Sequence, residues 1–220
     1  MKKLSEILTI VFVFVSVVAQ AQNVELRARA GINMSTVAYS SDYEIGTIKL
    51  SPGIQLGVMA EVPIINTLSV ESGLLINNKG FKMSQTEDFF DADFKAKMNL
   101  YYLDIPINAK YYYQLDGVKV FGTFGPYIGY GLVGNTSSKY TVGGESTKES
   151  EKIVWGNDSD ANVKRLDYGL GLGLGLGAEL EGIQFGLNYN LGLANTSASG
   201  IDSFKTSNRV LSLFAAYKIK

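Results

Sequence analysis

From Arg165 to Asn195 the chain alternates with period two across two arms. Leu166, Tyr168, Leu170, Leu172, Leu174, Leu176, Ala178 and Leu180 share one parity. Asp167, the glycines at 169, 171, 173, 175 and 177, and Glu179 share the other. Period two sends these sets to opposite faces of a strand. Glu181-Gly182 then reads as a hairpin turn. The second arm repeats the pattern, with Ile183, Phe185, Leu187, Tyr189, Leu191 and Leu193 against Gln184, Gly186, Asn188, Asn190 and Gly192. One face of this hairpin is wholly apolar and the other is glycine and polar groups. A soluble sandwich would pack the apolar face on a second sheet. A membrane barrel would turn it to lipid and line its lumen with the small polar face.

The rest of the chain favours the barrel. The same alternation predicts strands at Val24 to Ser35, Pro52 to Val62, Leu68 to Lys79, Asn99 to Tyr113, Val118 to Leu132 and Asn208 to Ile219. With the two arms of the hairpin these make eight. Pro106 removes a ladder donor, but the parity continues through it, which predicts a local defect without a break. The connections at 34–49, 80–98, 133–164 and 196–207 are long and polar; those at 63–67, 114–117 and 181–182 are short. Alternating long and short connections are the asymmetry of an outer-membrane barrel, whose termini and short turns lie in the periplasm. Tyrosines on the apolar parity form two sets. Tyr101, Tyr130 and Tyr168 lie near the long loops, and Tyr111, Tyr113 and Tyr217 near the short turns. Tyr101 and Tyr111 share a strand, and ten residues at ~3.3 Å and ~40° of tilt span roughly 25 Å, the height of an apolar band. The predicted fold is an all-β, eight-stranded antiparallel up-and-down transmembrane barrel.

Composition sets the compartment. Lys2 and Lys3 precede an apolar run from Ile7 to Ala19, and Ala19-Gln20-Ala21 is a small-x-small cleavage pattern. Residues 1–21 therefore read as a secretory signal peptide and 22–220 as the barrel domain. The chain has no cysteine and a formal charge of −1. That excludes disulfide staples and gives no basis for a nucleic-acid partner.

Several stretches carry a resemblance. AGINMS near the start, YYLDIPINAKYYY, FGPYIGYG, the hairpin DYGLGLGLGLGAELEGIQFGLNYNLGLAN and the closing LSLFAAYKIK are similar to the PorT-like outer-membrane β-barrel family of Bacteroidota-type bacteria. The likeness covers nearly the whole mature chain. It implies an outer-membrane location and, for some members, a link to protein secretion. Barrels of this class usually end in an aromatic residue; this chain ends Ile219-Lys220, with Tyr217 nearby.

Candidate chemistry is sparse. No histidine and no cysteine are present, which removes Ser-His-Asp hydrolysis, thiol nucleophiles and His-ligated metals. No cofactor is expected. Gly171-Leu172-Gly173-Leu174-Gly175 lies inside a strand with no helix after it and fails the context of a nucleotide site. The 157–162 run, Asn-Asp-Ser-Asp-Ala-Asn, offers oxygen ligands of the kind Ca²⁺ takes, although solvated loop polarity explains it as well. Glu87, Asp88, Asp91 and Asp93 with Phe89, Phe90 and Phe94 make a candidate contact surface for lipopolysaccharide or a protein partner, or else fold back on the rim.

The inward parity collects ionisable groups of both signs. Arg27, Arg29, Lys110, Lys119 and Lys218 balance Glu61, Glu71, Asp104, Asp167 and Glu179. In a tight interior such groups persist when paired. All but Asp104 and Asp167 lie in the half of their strand nearer the short turns, so the expectation is an ion-pair network that closes the periplasmic half of a monomeric, non-enzymatic barrel. Its role is then structural or one of surface interaction through the loops. The alternative is a narrow channel or a secretion-accessory component.

Overall fold

The computed structural model describes residues 24–40, 46–87, 92–116, 118–157, 160–178, 182–198 and 205–219. The expected signal peptide, Glu179, and Asp88 to Asp91 lie outside them. Ten strands follow in order: β1 Glu25–Ser40, β2 Thr47–Lys49, β3 Ser51–Ile65, β4 Leu68–Glu87, β5 Ala92–Leu115, β6 Val118–Val142, β7 Glu145–Lys152, β8 Leu166–Ala178, β9 Ile183–Gly192 and β10 Lys205–Lys218. Eight of them pair antiparallel, each with its neighbour in the ring β1-β3-β4-β5-β6-β8-β9-β10, and β10 pairs with β1 to close it. Closure leaves the barrel itself no unpaired edge.

The alternation of the sequence becomes two faces. Leu172, Leu187 and Leu213 are 58%, 50% and 51% exposed, and they form part of an apolar belt around the outside. The opposite parity is buried and polar, with Asn33, Gln55, Glu71, Asn77, Lys110 and Ser212 all facing in. Glycines stand where rings cross the interior. A Cβ on Gly175 would meet Phe121 at 2.2 Å, and one on Gly186 would meet Phe214 at 2.6 Å. Around Pro106 the ladders to β4 and β6 lack pairs, yet the register before and after is the same. Pro126 lies opposite this defect on β6 and contributes to it.

Much of two predicted loops is strand. The stretches 80–98 and 133–164 read as polar loops, but β4, β5 and β6 run 20, 24 and 25 residues and carry a sheet well past the apolar belt. β2 pairs with β4, and β7 pairs with β6 through a hairpin turned by Gly143 and Gly144, at φ 56° and 85°. Both values are left-handed, as a two-residue turn of this type requires. The reading failed because the polarity of the faces inverts at the end of the belt. Below it, Leu103 and Ile76 point out. Above it, Phe81, Met83, Phe94 and Met98 carry the inward parity and lysines the outward one. A search for the same apolar parity sees only a charged stretch there. A bulge at Tyr101/Tyr102, with Leu132 as the extra residue of β6, keeps the faces of β5 and β6 in phase through the change.

The long connections also fold back. Past β7, Ile153 and Val163 pack with Leu100 and Tyr102, joined by Trp155. Trp155 meets Tyr102 edge-on at 5.5 Å and lies over Gly131, where a Cβ would be 2.2 Å from the indole. Trp155 bridges to Val163 and Val163 to Ser197, so parts of two long connections together roof one end of the lumen.

Candidate functional site

The interior holds two layers of buried charge. In the layer nearer the long loops, Lys79 Nζ of β4 donates to Asp104 Oδ1 of β5 at 2.8 Å and to Asp167 Oδ2 of β8 at 2.9 Å. The ammonium is fully buried, and the rings of Tyr102 and Tyr127 flank it at 4.7 and 4.8 Å. Asn77 donates to Asp104 at 2.7 Å, and Asn208 to Asp167 at 3.0 Å. Asn77 in turn accepts from Gln55 at 2.7 Å, and Gln55 accepts from Arg29 Nε at 2.9 Å. A continuous hydrogen-bonded path thus runs from Arg29 of β1 through β3, β4 and β5, crosses the lumen at Lys79 to β8, and ends at Asn208 of β10.

In the layer nearer the short turns, Lys110 Nζ donates to Glu61 at 2.9 Å, Glu71 at 2.8 Å and Gln184 at 2.8 Å. Tyr112 donates to the other oxygen of Glu61 at 2.6 Å. Arg27 adds an ion pair to Glu61 at 3.7 Å and a second to Glu25, which Lys218 also reaches at 2.8 Å. Between the layers the Arg29 guanidinium stacks on Phe214, 3.4 Å from the ring centre. Each buried ammonium thus has three polar or two charged partners, the condition under which a low-dielectric interior tolerates charge. Together, Arg27, Arg29, Lys79, Lys110 and Lys218 balance Glu25, Glu61, Glu71, Asp104 and Asp167.

Little space is left. A cavity of about 20 Å³ lies beside Arg29, Asn77, Asp104 and Asn190, room for about one water. At the short-turn end an open vestibule of about 470 Å³ is lined by Glu25, Arg27, Glu61, Tyr112, Lys119 and Lys218.

A closed antiparallel ring with an apolar exterior and a polar interior has an independent match in sequence. The model of the outer membrane protein beta-barrel domain matches residues 19–198. The chain belongs to that family. No curated protein matches this outer-membrane barrel in sequence. Solved structures similar to it include the attachment invasion locus protein Ail of Yersinia pestis, in complex with the heparin analogue sucrose octasulfate. That likeness has 17% identity, covers 90% of this chain and 100% of that one, and has a TM-score of 0.37. Neisserial surface protein A is 15% identical over 90% of this chain and 100% of its own, with a TM-score of 0.43. OprG of Pseudomonas aeruginosa is 15% identical over 90% and 97%, with a TM-score of 0.44.

The barrel separates the residues singled out from the sequence. Arg27, Glu61, Glu71, Lys110 and Lys218 meet in the short-turn layer, and Asp104 and Asp167 in the other. Arg29 hydrogen-bonds Gln55, stacks on Phe214 and interacts electrostatically with Glu71. Lys119 sits at the vestibule, 6.0 Å over the Tyr112 ring. So the charges occupy two layers, the expected cluster at the short-turn end and a second one in which Lys79 joins Asp104 and Asp167. Lys79 is the residue that parity alone would have added. It shares the parity of Glu71 and Asn77 but stands at the predicted boundary of strand and loop, where it passes for a rim residue. Tyr111, Tyr113, Tyr168 and Tyr217 are exposed on the outer face, and Tyr101 and Tyr130 are half-buried on it. Phe94 faces inward against Tyr140, ring centres 4.7 Å apart. In the 157–162 run, Asn162 Oδ1 accepts from the Val154 amide at 2.8 Å, and Asp158 and Ser159 lie outside the described residues.

Proposed function

We propose that this outer-membrane barrel is closed and non-enzymatic, with a structural or surface-interaction role carried by its outward-reaching hairpins. The observation that carries this reading is the filled lumen: two charge layers, the Trp155 roof and an internal cavity of about 20 Å³. An ion crossing such a barrel would have to break the Lys79 and Lys110 networks, each several hydrogen bonds deep. The orientation belongs to the proposal, with long hairpins outside and short turns in the periplasm. So do export by a signal peptide cleaved after Ala21, the monomeric state, and contact with lipopolysaccharide or a protein through the loops. The closer PorT-like kinship rests on the sequence stretches quoted above. A second reading, a narrow channel or secretion-accessory component, is favoured by the vestibule at the short-turn end.

The test is conductance. Purified protein in planar bilayers gives no steady single-channel current on the closed reading. Steady openings of the wild-type protein would end that reading and promote the channel.

A further inference from the structure

The sheet that rises past the apolar belt separates charge between its faces. Directly opposed residues of antiparallel strands lie on one face, so the registers assign each side chain. One ladder row runs Lys49–Lys82–Lys97–Ser137–Ser150 across β2, β4, β5, β6 and β7. The next row on the same face runs Thr47–Ser84–Lys95–Lys139–Lys148. Lys152, opposite Asn135, extends this face. Among the described residues of these strands, the face carries one carboxylate, Asp93, 3.7 Å from Lys95. Above Lys79, the opposite face carries Glu87, Glu145, Glu149 and Glu151 and, among the described residues, no further lysine.

Four lysine pairs stand directly across from each other: Lys49 and Lys82, Lys82 and Lys97, Lys95 and Lys139, Lys139 and Lys148. Like charges so placed destabilise a sheet. Exchanging any of them with the glutamates behind would relieve the repulsion, yet the sequence keeps the signs apart. Between the rows lies a groove of about 580 Å³, walled by six of these lysines with Ser84, Ser137 and Ser150 between them. It presents ammonium and hydroxyl donors in excess of the carboxylates near it, Glu149 in its lining and Asp93 beside Lys95, which is complementary to clustered phosphate.

The direction of the face selects the occupant. It continues the lipid-facing parity of Leu103 and Ile76, so it looks sideways over neighbouring lipid heads. Lys97 stands four residues beyond Tyr101 of the aromatic band and Lys95 six. At ~3.3 Å per residue and ~40° of tilt these lie roughly 10 and 15 Å above the band. The phosphates of an ordinary headgroup layer sit lower than that, whereas phosphates borne on sugars beyond the acylated ones stand at the height of the lysines. We infer that this lysine ladder is a binding surface for a phosphorylated glycolipid of the outer leaflet. The inference rests on the proposed orientation, with the hairpins outside.

Amine footprinting of the full-length protein tests it. The barrel is placed in nanodiscs of neutral phosphatidylcholine containing either a short-chain lipopolysaccharide phosphorylated on its inner-core sugars or the same glycolipid stripped of phosphate. Acetylation rates of single lysines are then read by mass spectrometry. The phosphorylated form should slow Lys82, Lys95, Lys97 and Lys139 at least fivefold relative to the stripped form and leave Lys218 at the opposite mouth unchanged. The fourfold variant K82Q/K95Q/K97Q/K139Q, still folded by its gel heat-shift, should retain the phosphorylated glycolipid at least tenfold more weakly. Equal rates with the two glycolipids would overturn the inference. So would equal protection by soluble polyphosphate in discs without glycolipid, which would assign the face to a free polyanion. Labelling of intact cells with a membrane-impermeant amine reagent separates the two levels. Unlabelled ladder lysines there would refute the orientation itself, whereas labelled but unprotected ones would refute only the ligand.

Discussion

Lys79→Met is the sharpest probe of the lumen. It keeps the length of the side chain and removes one charge. The new thioether would lie between the Tyr102 and Tyr127 rings, which now flank the ammonium at 4.7 and 4.8 Å, a favourable setting for sulfur. Packing is therefore nearly preserved, and the loss is electrostatic. Asp104 and Asp167 lose bonds of 2.8 and 2.9 Å to a shared cation. They keep only the amides of Asn77 and Asn208 and the longer Tyr127 contact at 3.4 Å. At ~5 Å separation and an effective dielectric of ~20, their mutual repulsion is about 3 kcal/mol. Removing one partner of a buried pair costs about 3–5 kcal/mol, a factor of roughly 10² to 10³·⁵ in the folding equilibrium. Urea unfolding in lipid vesicles, followed by the fluorescence of Trp155, measures it. The triple variant Lys79→Met, Asp104→Asn, Asp167→Asn leaves neutral groups of the same shape and should recover most of the loss. A single variant within ~1 kcal/mol of wild type, or a triple variant no better than the single, would refute the argument.

Two further outcomes follow from the faces. Leu172→Arg and Leu187→Arg, both on the exposed apolar belt, should each cost about 2–4 kcal/mol in the same unfolding assay. Gly173→Ser gives no mild contrast, because its Cβ meets Thr123 Oγ1 at 2.3 Å. An outward position such as Leu172→Ile should be the mild one, and a cost there equal to the arginine's would refute the parity. Gly131→Val drives a branched side chain into the indole that now lies over it. It should cost about 1–3 kcal/mol and shift Trp155 emission to the red as the roof lifts; unchanged emission would show that Trp155 does not seal this end.

The eight barrel strands, their inward and outward faces and the short turns were all legible as period-two alternation. A barrel wall in lipid must be apolar on one side at every second residue, and that constraint is local. Most of the buried charges were legible for the same reason, since a charged residue on the inward parity has nowhere else to go. Partnership was not. Lys79 meets Asp167 across 88 positions of sequence, and Lys110 meets Gln184 across 74; only closure of the ring brings them together. Nor was the rise of the sheet past the belt legible as strand. Above the lipid, hydrogen bonding between neighbouring strands sustains the ladder without an apolar outer face, so the familiar signal ends at Lys79 while the strand does not. The lysine ladder was hidden with it. In sequence its members are scattered single charges from Lys49 to Lys152, and the register of five paired strands alone sets them side by side.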